Sequence, residues 1–168
     1  MARLTLLCVV FLVAVPALAQ PVYLVTDLVG VLGDGVVSAG KINNAGVAVG
    51  TYDTGATSGL GDPVWRAFAW LPGPAQGLPA GFNELGTLGG STSTSLATDL
   101  NELGLISGYS GTGQVVGGGE ETVGFLWQAG AMTGLPSVTT GFDFGRARAI
   151  NRHGETTGFE HSGFGCHP

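Results

Sequence analysis

One twelve-residue segment occurs three times in this chain, and it constrains the fold more than any other feature. Residues 39–50 (AGKINNAGVAVG), 97–108 (ATDLNELGLISG) and 147–158 (ARAINRHGETTG) fit one pattern, A-x-x-[IL]-N-x-x-G-x-x-x-G. An aromatic residue follows each copy within two positions. The fixed positions are Ala39, Asn43, Gly46 and Gly50 in the first copy, Ala97, Asn101, Gly104 and Gly108 in the second, and Ala147, Asn151, Gly154 and Gly158 in the third.

The residue types of this motif predict a β-hairpin. Asparagine at the first position of a turn can bond the backbone two residues further on, and glycine at the fourth position tolerates a positive φ. The last glycine of the motif lies inside the returning strand, where glycine is typical of a bulge or of a close approach between backbones. Each copy therefore predicts two short strands joined by an asparagine turn.

Further strands complete a repeat unit around each hairpin. Phe68 and Trp70, like Phe125 and Trp127, lie two residues apart and so share one face of a strand, which we expect to be buried. Residues 22–25 predict an earlier strand, and a short fourth strand is expected near residues 76–78 and 131–135. Glycine-rich segments, residues 54–63 and 110–121, are expected to be loops of variable length.

The spacing of the motif gives the fold class. The asparagines are 58 and 50 residues apart, and about four short strands in some 50 residues is the size of a propeller blade or another stacked β unit. We predict an all-β fold of tandem units, propeller-blade-like or β-solenoid. The units are residues 22–78, 79–136 and a partial 137–160, about two and a half in all.

The N-terminus indicates export. Arg3 precedes an apolar run, and Ala17-Leu18-Ala19 has the small-x-small pattern of a signal-peptidase site. The run is too short for a spanning helix, and no later segment is long and apolar enough. We therefore predict a signal peptide at residues 1–19, a β-repeat domain at 20–160 and a C-terminal tail at 161–168, in a secreted or periplasmic protein without a membrane span.

The composition excludes several classes of partner. Removing residues 1–19 takes away one of the six basic residues and none of the twelve acidic ones, so the net charge changes from −6 to −7. Nucleic acid and anionic lipid both need clustered Lys and Arg, and this chain has no such cluster. Cys166 is the one cysteine left after processing, so no intrachain disulfide forms. Glycine is abundant, 31 of 168 residues, as expected for many turns between short strands.

The same segments resemble the HAF-repeat family of predicted extracellular repeat proteins. Residues 85–91 (LGTLGGS) match the family's leader, residues 147–158 its core, and Ala67-Phe68-x-Trp70 its aromatic strand. The family histidine is replaced by Arg66 in one unit and by Val123 in the other. The resemblance implies export and a β-repeat fold, and it implies no chemistry.

Two motifs suggest a ligand at first sight. Asp99-x-Asn101-x-x-Gly104 begins like a calcium loop, but it lacks the later oxygens, including the bidentate glutamate at position twelve. A structural turn is the favoured interpretation. The glycine-rich residues 111–113 and 117–119 precede no predicted helix, so they are expected to be loops and not a phosphate cradle.

The remaining candidates are single residues or loose groups. Trp65 has no counterpart in the second unit, which makes it the candidate for an exposed aromatic and a ligand contact. Glu120 and Glu121 are adjacent, so their side chains point apart, and solvated loop charges are expected in place of a glycosidase pair. Four residues near the C-terminus have ligating side chains but no zinc-site spacing, and they are interpreted as part of a frayed tail: His153, His161, Cys166 and His167.

These observations favour an exported, non-catalytic β-repeat protein without cofactor or metal, acting as a structural, adhesive or interaction module. Self-association, other surface proteins and glycans are the partners expected. A carbohydrate-binding or degradative β-propeller is the first alternative, and a fragment of a longer repeat array is the second.

Overall fold

A computed structural model describes residues 25–28, 37–138 and 144–162 of the chain. The described residues form ten strands and no helix, so the expected all-β class is confirmed. The predicted signal peptide and most of the strand predicted at 22–25 lie outside these ranges. The strands are β1 (Val37–Ile42), β2 (Ala48–Thr57), β3 (Pro63–Leu71), β4 (Gly81–Gly86), β5 (Ser95–Leu100), β6 (Ile106–Val116), β7 (Gly119–Gln128), β8 (Ala131–Gly134), β9 (Phe144–Ile150) and β10 (Thr156–His161).

The strands form two sheets, and neither closes into a barrel. The first sheet has the order β1-β2-β3-β4, with every pair antiparallel. The second has the order β10-β9-β7-β6-β5, and β8 also pairs with β7. Strand β9 is parallel to β7 where Thr122 meets Phe144, so the third hairpin extends the second sheet.

Each copy of the motif forms an antiparallel hairpin, as predicted: β1 with β2, β5 with β6, and β9 with β10. The first residue of the motif pairs with the last in every copy, and the register shifts next to that pair. The residue after the fixed alanine is therefore a β-bulge. The three pairs are Ala39 with Gly50, Ala97 with Gly108, and Ala147 with Gly158.

The bulge explains the last glycine of the motif. A Cβ atom on Gly108 would lie 2.0 Å from the carbonyl oxygen of Leu96, and the equivalent distance is also 2.0 Å at Gly50 and at Gly158. No real Cβ atom tolerates such a contact with backbone. The predicted close approach is thus present at the glycine, whereas the bulge lies on the opposite strand, at Gly40, Thr98 or Arg148, and not at the glycine where it was predicted.

The predicted loop at residues 110–121 is wrong, because most of it is strand. Strand β6 continues to Val116 and β7 begins at Gly119, so only two residues lie between them. These are Gly117 and Gly118, both with positive φ (58° and 86°), as a type I′ turn requires. The twist of that turn matches the twist of the strands, so the glycine-rich segment continues the backbone hydrogen bonding between β6 and β7. Residues 54–57 of the other predicted loop likewise belong to β2.

The predicted fourth strand near residues 76–78 is also wrong. Ala75 and Leu78 form an isolated bridge around a tight turn, in which Gln76 has a φ of 55°. The fourth strand of the first sheet is β4, and it pairs with β3. The chain therefore passes from the first sheet to the second between β4 and β5. In the second sheet β8 lies within the predicted residues 131–135.

The main core lies between the two sheets. Val49, Ala69 and Leu71 of the first sheet join Leu100, Ile106 and the aromatic pair of β7 in one cluster of buried side chains. Phe68, Phe125 and Trp127 are buried as predicted, whereas Trp70 is half-buried.

Replacing Gly108 by alanine tests the bulge. We expect Gly108→Ala to lower the free energy of unfolding by about 1–3 kcal/mol, because the new methyl group meets the carbonyl oxygen of Leu96 and the ring of Phe125. Gly73→Ala is the matched control, since a Cβ atom there meets nothing within 4 Å. Denaturant unfolding measures both, and equal losses would contradict the explanation.

Candidate functional site

The side-chain oxygen of the motif asparagine closes the turn of every hairpin. Asn101 Oδ1 accepts hydrogen bonds from the backbone N–H groups of Leu103 and Leu105, both at 3.0 Å. Asn43 and Asn151 make the same pair of bonds at 2.9 to 3.1 Å. The glycine three residues later has a φ of 78–84° in all copies and donates its N–H to the asparagine carbonyl. This is a turn followed by a left-handed glycine, the usual three-residue hairpin loop.

The side-chain nitrogen of the same asparagine joins one hairpin to the next. Asn43 Nδ2 donates to the carbonyl oxygen of Asn101 at 3.1 Å, and Asn101 Nδ2 donates to the carbonyl oxygen of Asn151 at 2.9 Å. We call this series the asparagine ladder. Asn101, in the middle, is only 6% exposed. The three hairpins are therefore stacked in chain order.

Neighbouring side chains add to the stack. The Asn44 N–H donates to Glu102 Oε2 at 3.0 Å, and the Thr98 hydroxyl lies 2.9 Å from the carbonyl oxygen of Ala147. Both contacts join one hairpin to the next. Sequence reasoning missed them, because these motif positions differ in residue type from copy to copy and carry no repeated signal.

The residues of the calcium-like segment serve the same stack. Asp99 Oδ2 accepts the N–H of Ile150 at 2.9 Å, and Asp99 Oδ1 lies 3.8 Å from Lys41 Nζ. The oxygen of Asn101 is engaged in its own turn, so the predicted structural turn is confirmed. No three His, Cys, Asp or Glu residues come close enough to hold a metal ion in the described ranges.

The two ends of the stack differ from its middle. The fourth motif residue is Ile42, Leu100 or Ile150, and its exposure is 70% in the first hairpin but 8% in each of the others. Similarly, Trp70 is half-buried where its counterpart Trp127 is 2% exposed. We call Ala39, Ile42 and Trp70 the head face. The matching side chains Ala97, Leu100 and Trp127 of the second sheet lie in the core cluster with residues of the first sheet.

The opposite end shows the same contrast. The eleventh motif residue is Val49, Ser107 or Thr157; the first two are 1% and 0% exposed, and Thr157 is exposed. Phe159, two residues further on the same side of β10, is 42% exposed. We call Thr157 and Phe159 the tail face. In the first and second hairpins, the corresponding surface covers the hairpin that follows.

A buried arginine holds the connection between the sheets. The Arg66 guanidinium donates to the carbonyl oxygens of Gly90, Ser91 and Ser93, and it pairs with Glu84 at 3.3 Å. Glu84 also accepts a hydrogen bond from the Tyr52 hydroxyl. Burial raises the pKa of Tyr52, and the bond to Glu84 raises it further, so the phenol stays protonated. This polar group is a structural connection between strand ends.

Trp65, the candidate ligand contact, is half-buried at the start of β3, and its backbone N–H donates to Thr94 Oγ1 at 3.3 Å. Trp65 is therefore half-buried like Trp70, and the structure does not single it out as an exposed aromatic residue.

Glu120 and Glu121 are not the solvated loop charges expected from the sequence. Both lie on β7 and are half-buried. Glu120 accepts the N–H groups of Thr94 and Gly113 at 3.3 and 3.1 Å, and Glu121 accepts the hydroxyl of Thr112 at 2.5 Å. They fix the long β6–β7 hairpin, because their strand continues where a loop was predicted.

The residues of the C-terminal group are engaged separately. Arg152 Nε lies 3.0 Å from His153 Nε2, and the His161 ring stacks on Phe144 with centroids 5.0 Å apart. His161 therefore packs on the sheet and is not part of a frayed tail. Cys166 and His167 lie outside the described residues.

A cavity of about 360 Å³ lies between β7, residues 135–138 and the third hairpin. Its acidic lining residue, Glu160, accepts hydrogen bonds from Ser137 and from the N–H of Val138 at 3.2 Å. That carboxylate fastens residues 137 and 138 to β10.

Comparisons with protein-family models, curated proteins and solved structures found no match to this chain. The part of the chain that the structure describes contains no helix of the length and hydropathy needed to cross a membrane.

The Asn101→Asp variant tests the ladder. Aspartate keeps the turn oxygen but loses the donor to Asn151 and buries a charge against a carbonyl group. We expect the free energy of unfolding to fall by about 1–3 kcal/mol or more. Gln128→Glu, which makes the same amide-to-carboxylate change at an exposed residue of β7, is the control and is expected to change little. An unchanged stability in Asn101→Asp would show that the ladder is not needed.

Proposed function

We propose that this chain is an exported, non-catalytic β-repeat protein that acts as an interaction module. The observation that supports this most is the asparagine ladder, which stacks three copies of one hairpin and leaves a head face and a tail face at its ends. A stack of similar faces extends a binding surface without needing any reactive group.

The strand order supports a tandem-repeat architecture. The first sheet and the first four strands of the second share the same antiparallel sequence: motif hairpin, aromatic strand, short fourth strand. The third hairpin repeats the beginning of that unit. We propose a propeller-blade-like or solenoid array, consistent with the resemblance to the HAF-repeat family.

A non-catalytic role is supported by the use that the chain makes of its carboxylates. Asp99 and Glu102 join hairpins, Glu84 pairs with Arg66, and Glu120 and Glu160 bind backbone N–H groups. A general acid or base needs a carboxylate directed at a substrate, whereas these five are directed at the protein.

Export is tested by expressing the full chain in a bacterial host. We expect the exported product to begin at Gln20, as its intact mass would show, because a small residue precedes the cleaved bond. Ala19→Leu should remain uncleaved, whereas the control Ala14→Leu, inside the apolar run, should be processed normally. A product retained in the cytoplasm with Met1 still present would rule out export.

The carbohydrate-binding alternative is tested on a glycan array. We expect no saturable binding by the exported protein. Saturable binding that is lost in Trp65→Ala and kept in Leu103→Ala would support the alternative and overturn the proposed role, since Leu103 is an exposed side chain in the second motif turn, outside the glycine-rich segments.

A further inference from the structure

We infer that copies of this chain associate head to tail, with the tail face of one copy on the head face of the next. The inference rests on the proposed role as an interaction module and names its partner, a second copy of the same chain. The new interface would repeat the contact that joins the hairpins within one chain.

The head face is an apolar surface of a type that the protein buries elsewhere. Leu100 and Ile150 are covered by the preceding hairpin, but Ile42 is 70% exposed. Covering such a side chain removes its apolar surface from water and strengthens association by about 10- to 150-fold. In the main core, Val49 at the eleventh position of the first hairpin lies in the same buried cluster as Leu100. Thr157 occupies the eleventh position in the third hairpin.

The hydrogen bonds at the two ends are complementary. The carbonyl oxygens of Asn101 and Asn151 each accept an asparagine amide, but in the described residues the Asn43 carbonyl accepts only the N–H of Gly46. At the tail, Asn151 Nδ2 donates to Glu155 at 2.6 Å. An amide nitrogen has two hydrogens, so the second can bond the Asn43 carbonyl of the next copy.

Burial of the Thr157 hydroxyl has a precedent that is not free of cost, because the buried Oγ of Ser107 makes no hydrogen bond within the described residues. Ser107 has the same motif position and is fully buried where the second hairpin meets the third. The tail face therefore resembles an interface that the protein already forms.

Association through the faces is favoured over pairing between edge strands. Strand β1 is an edge of the first sheet, but it carries the bulge at Gly40 and the charged Lys41. Both features discourage the addition of a strand. A head-to-tail contact is heterologous, so it predicts chains or rings of copies and not a closed symmetric dimer.

The first experiment measures the mass of the exported protein in solution over a range of concentrations. We expect the mass to rise above that of one chain as the concentration increases. Ile42→Asp should weaken association by about 100-fold or more. The control Leu60→Asp, at an exposed apolar residue outside both faces, should associate like the native protein. A native protein that stays monomeric and unfolds cooperatively would overturn the inference, while the export and glycan experiments would still decide the proposed function.

Mixing two variants tests the direction of association. Ile42→Asp blocks a head and Thr157→Asp blocks a tail, so each variant alone should be largely monomeric. A mixture should form one-to-one dimers that do not grow, because one intact tail meets one intact head. Failure of the mixture to pair, or stable dimers of Ile42→Asp alone, would overturn the head-to-tail arrangement. Circular dichroism of each variant confirms that the sheets are retained.

Discussion

The hydrogen bond from the buried amide of Asn101 to the carbonyl of Asn151 is the interaction on which the arrangement of hairpins depends. The same side chain closes its own turn with its oxygen. A side-chain amide accepts on its oxygen and donates on its nitrogen, so it can make both contacts at once. Leucine would supply neither bond, and aspartate would supply only the turn. A single fixed residue therefore determines both the hairpin and the contact between hairpins.

The other fixed positions follow from the close packing of these hairpins. The bulge brings the carbonyl oxygen of Leu96 to the place where Gly108 would carry a Cβ atom. Ala97 and Ala147 pair with such glycines and are themselves nearly buried by the preceding hairpin, so a larger side chain has no room there. The small residues at both ends of the motif are therefore explained by steric limits, and the asparagine and the glycine between them by turn chemistry.

Sequence reasoning predicted the features that depend on local chemistry and missed those that depend on distant partners. The asparagine turns, the close approach at the last glycine and the burial of Phe68, Phe125 and Trp127 follow from residue type and spacing, whereas Trp70 is half-buried. The hydrogen-bond acceptor of the Asn101 amide does not follow from local sequence, because it lies 50 residues away, at Asn151. The role of Arg66 was likewise not predictable, since its carbonyl partners are ordinary backbone groups. The two-residue turn at Gly117 was predictable from its glycines, but the length of the glycine-rich segment favoured a loop.

The ends of such a stack need a separate physical account. Within the described residues, the second hairpin contacts a hairpin on each side, whereas the first and the third each contact one. Glu155 occupies the motif position of the half-buried Val47 and Leu105. Its carboxylate accepts a hydrogen bond from the Asn151 amide, whereas the amides of the first two hairpins donate to the next hairpin. The tail therefore partly satisfies the Asn151 amide within the third hairpin. The head has no equivalent substitution, because Ile42 keeps the apolar type of the buried Leu100 and Ile150. Covering the head would therefore remove more apolar surface from water than covering the tail. The tail, in turn, supplies the hydrogen-bond donor, the side-chain amide of Asn151.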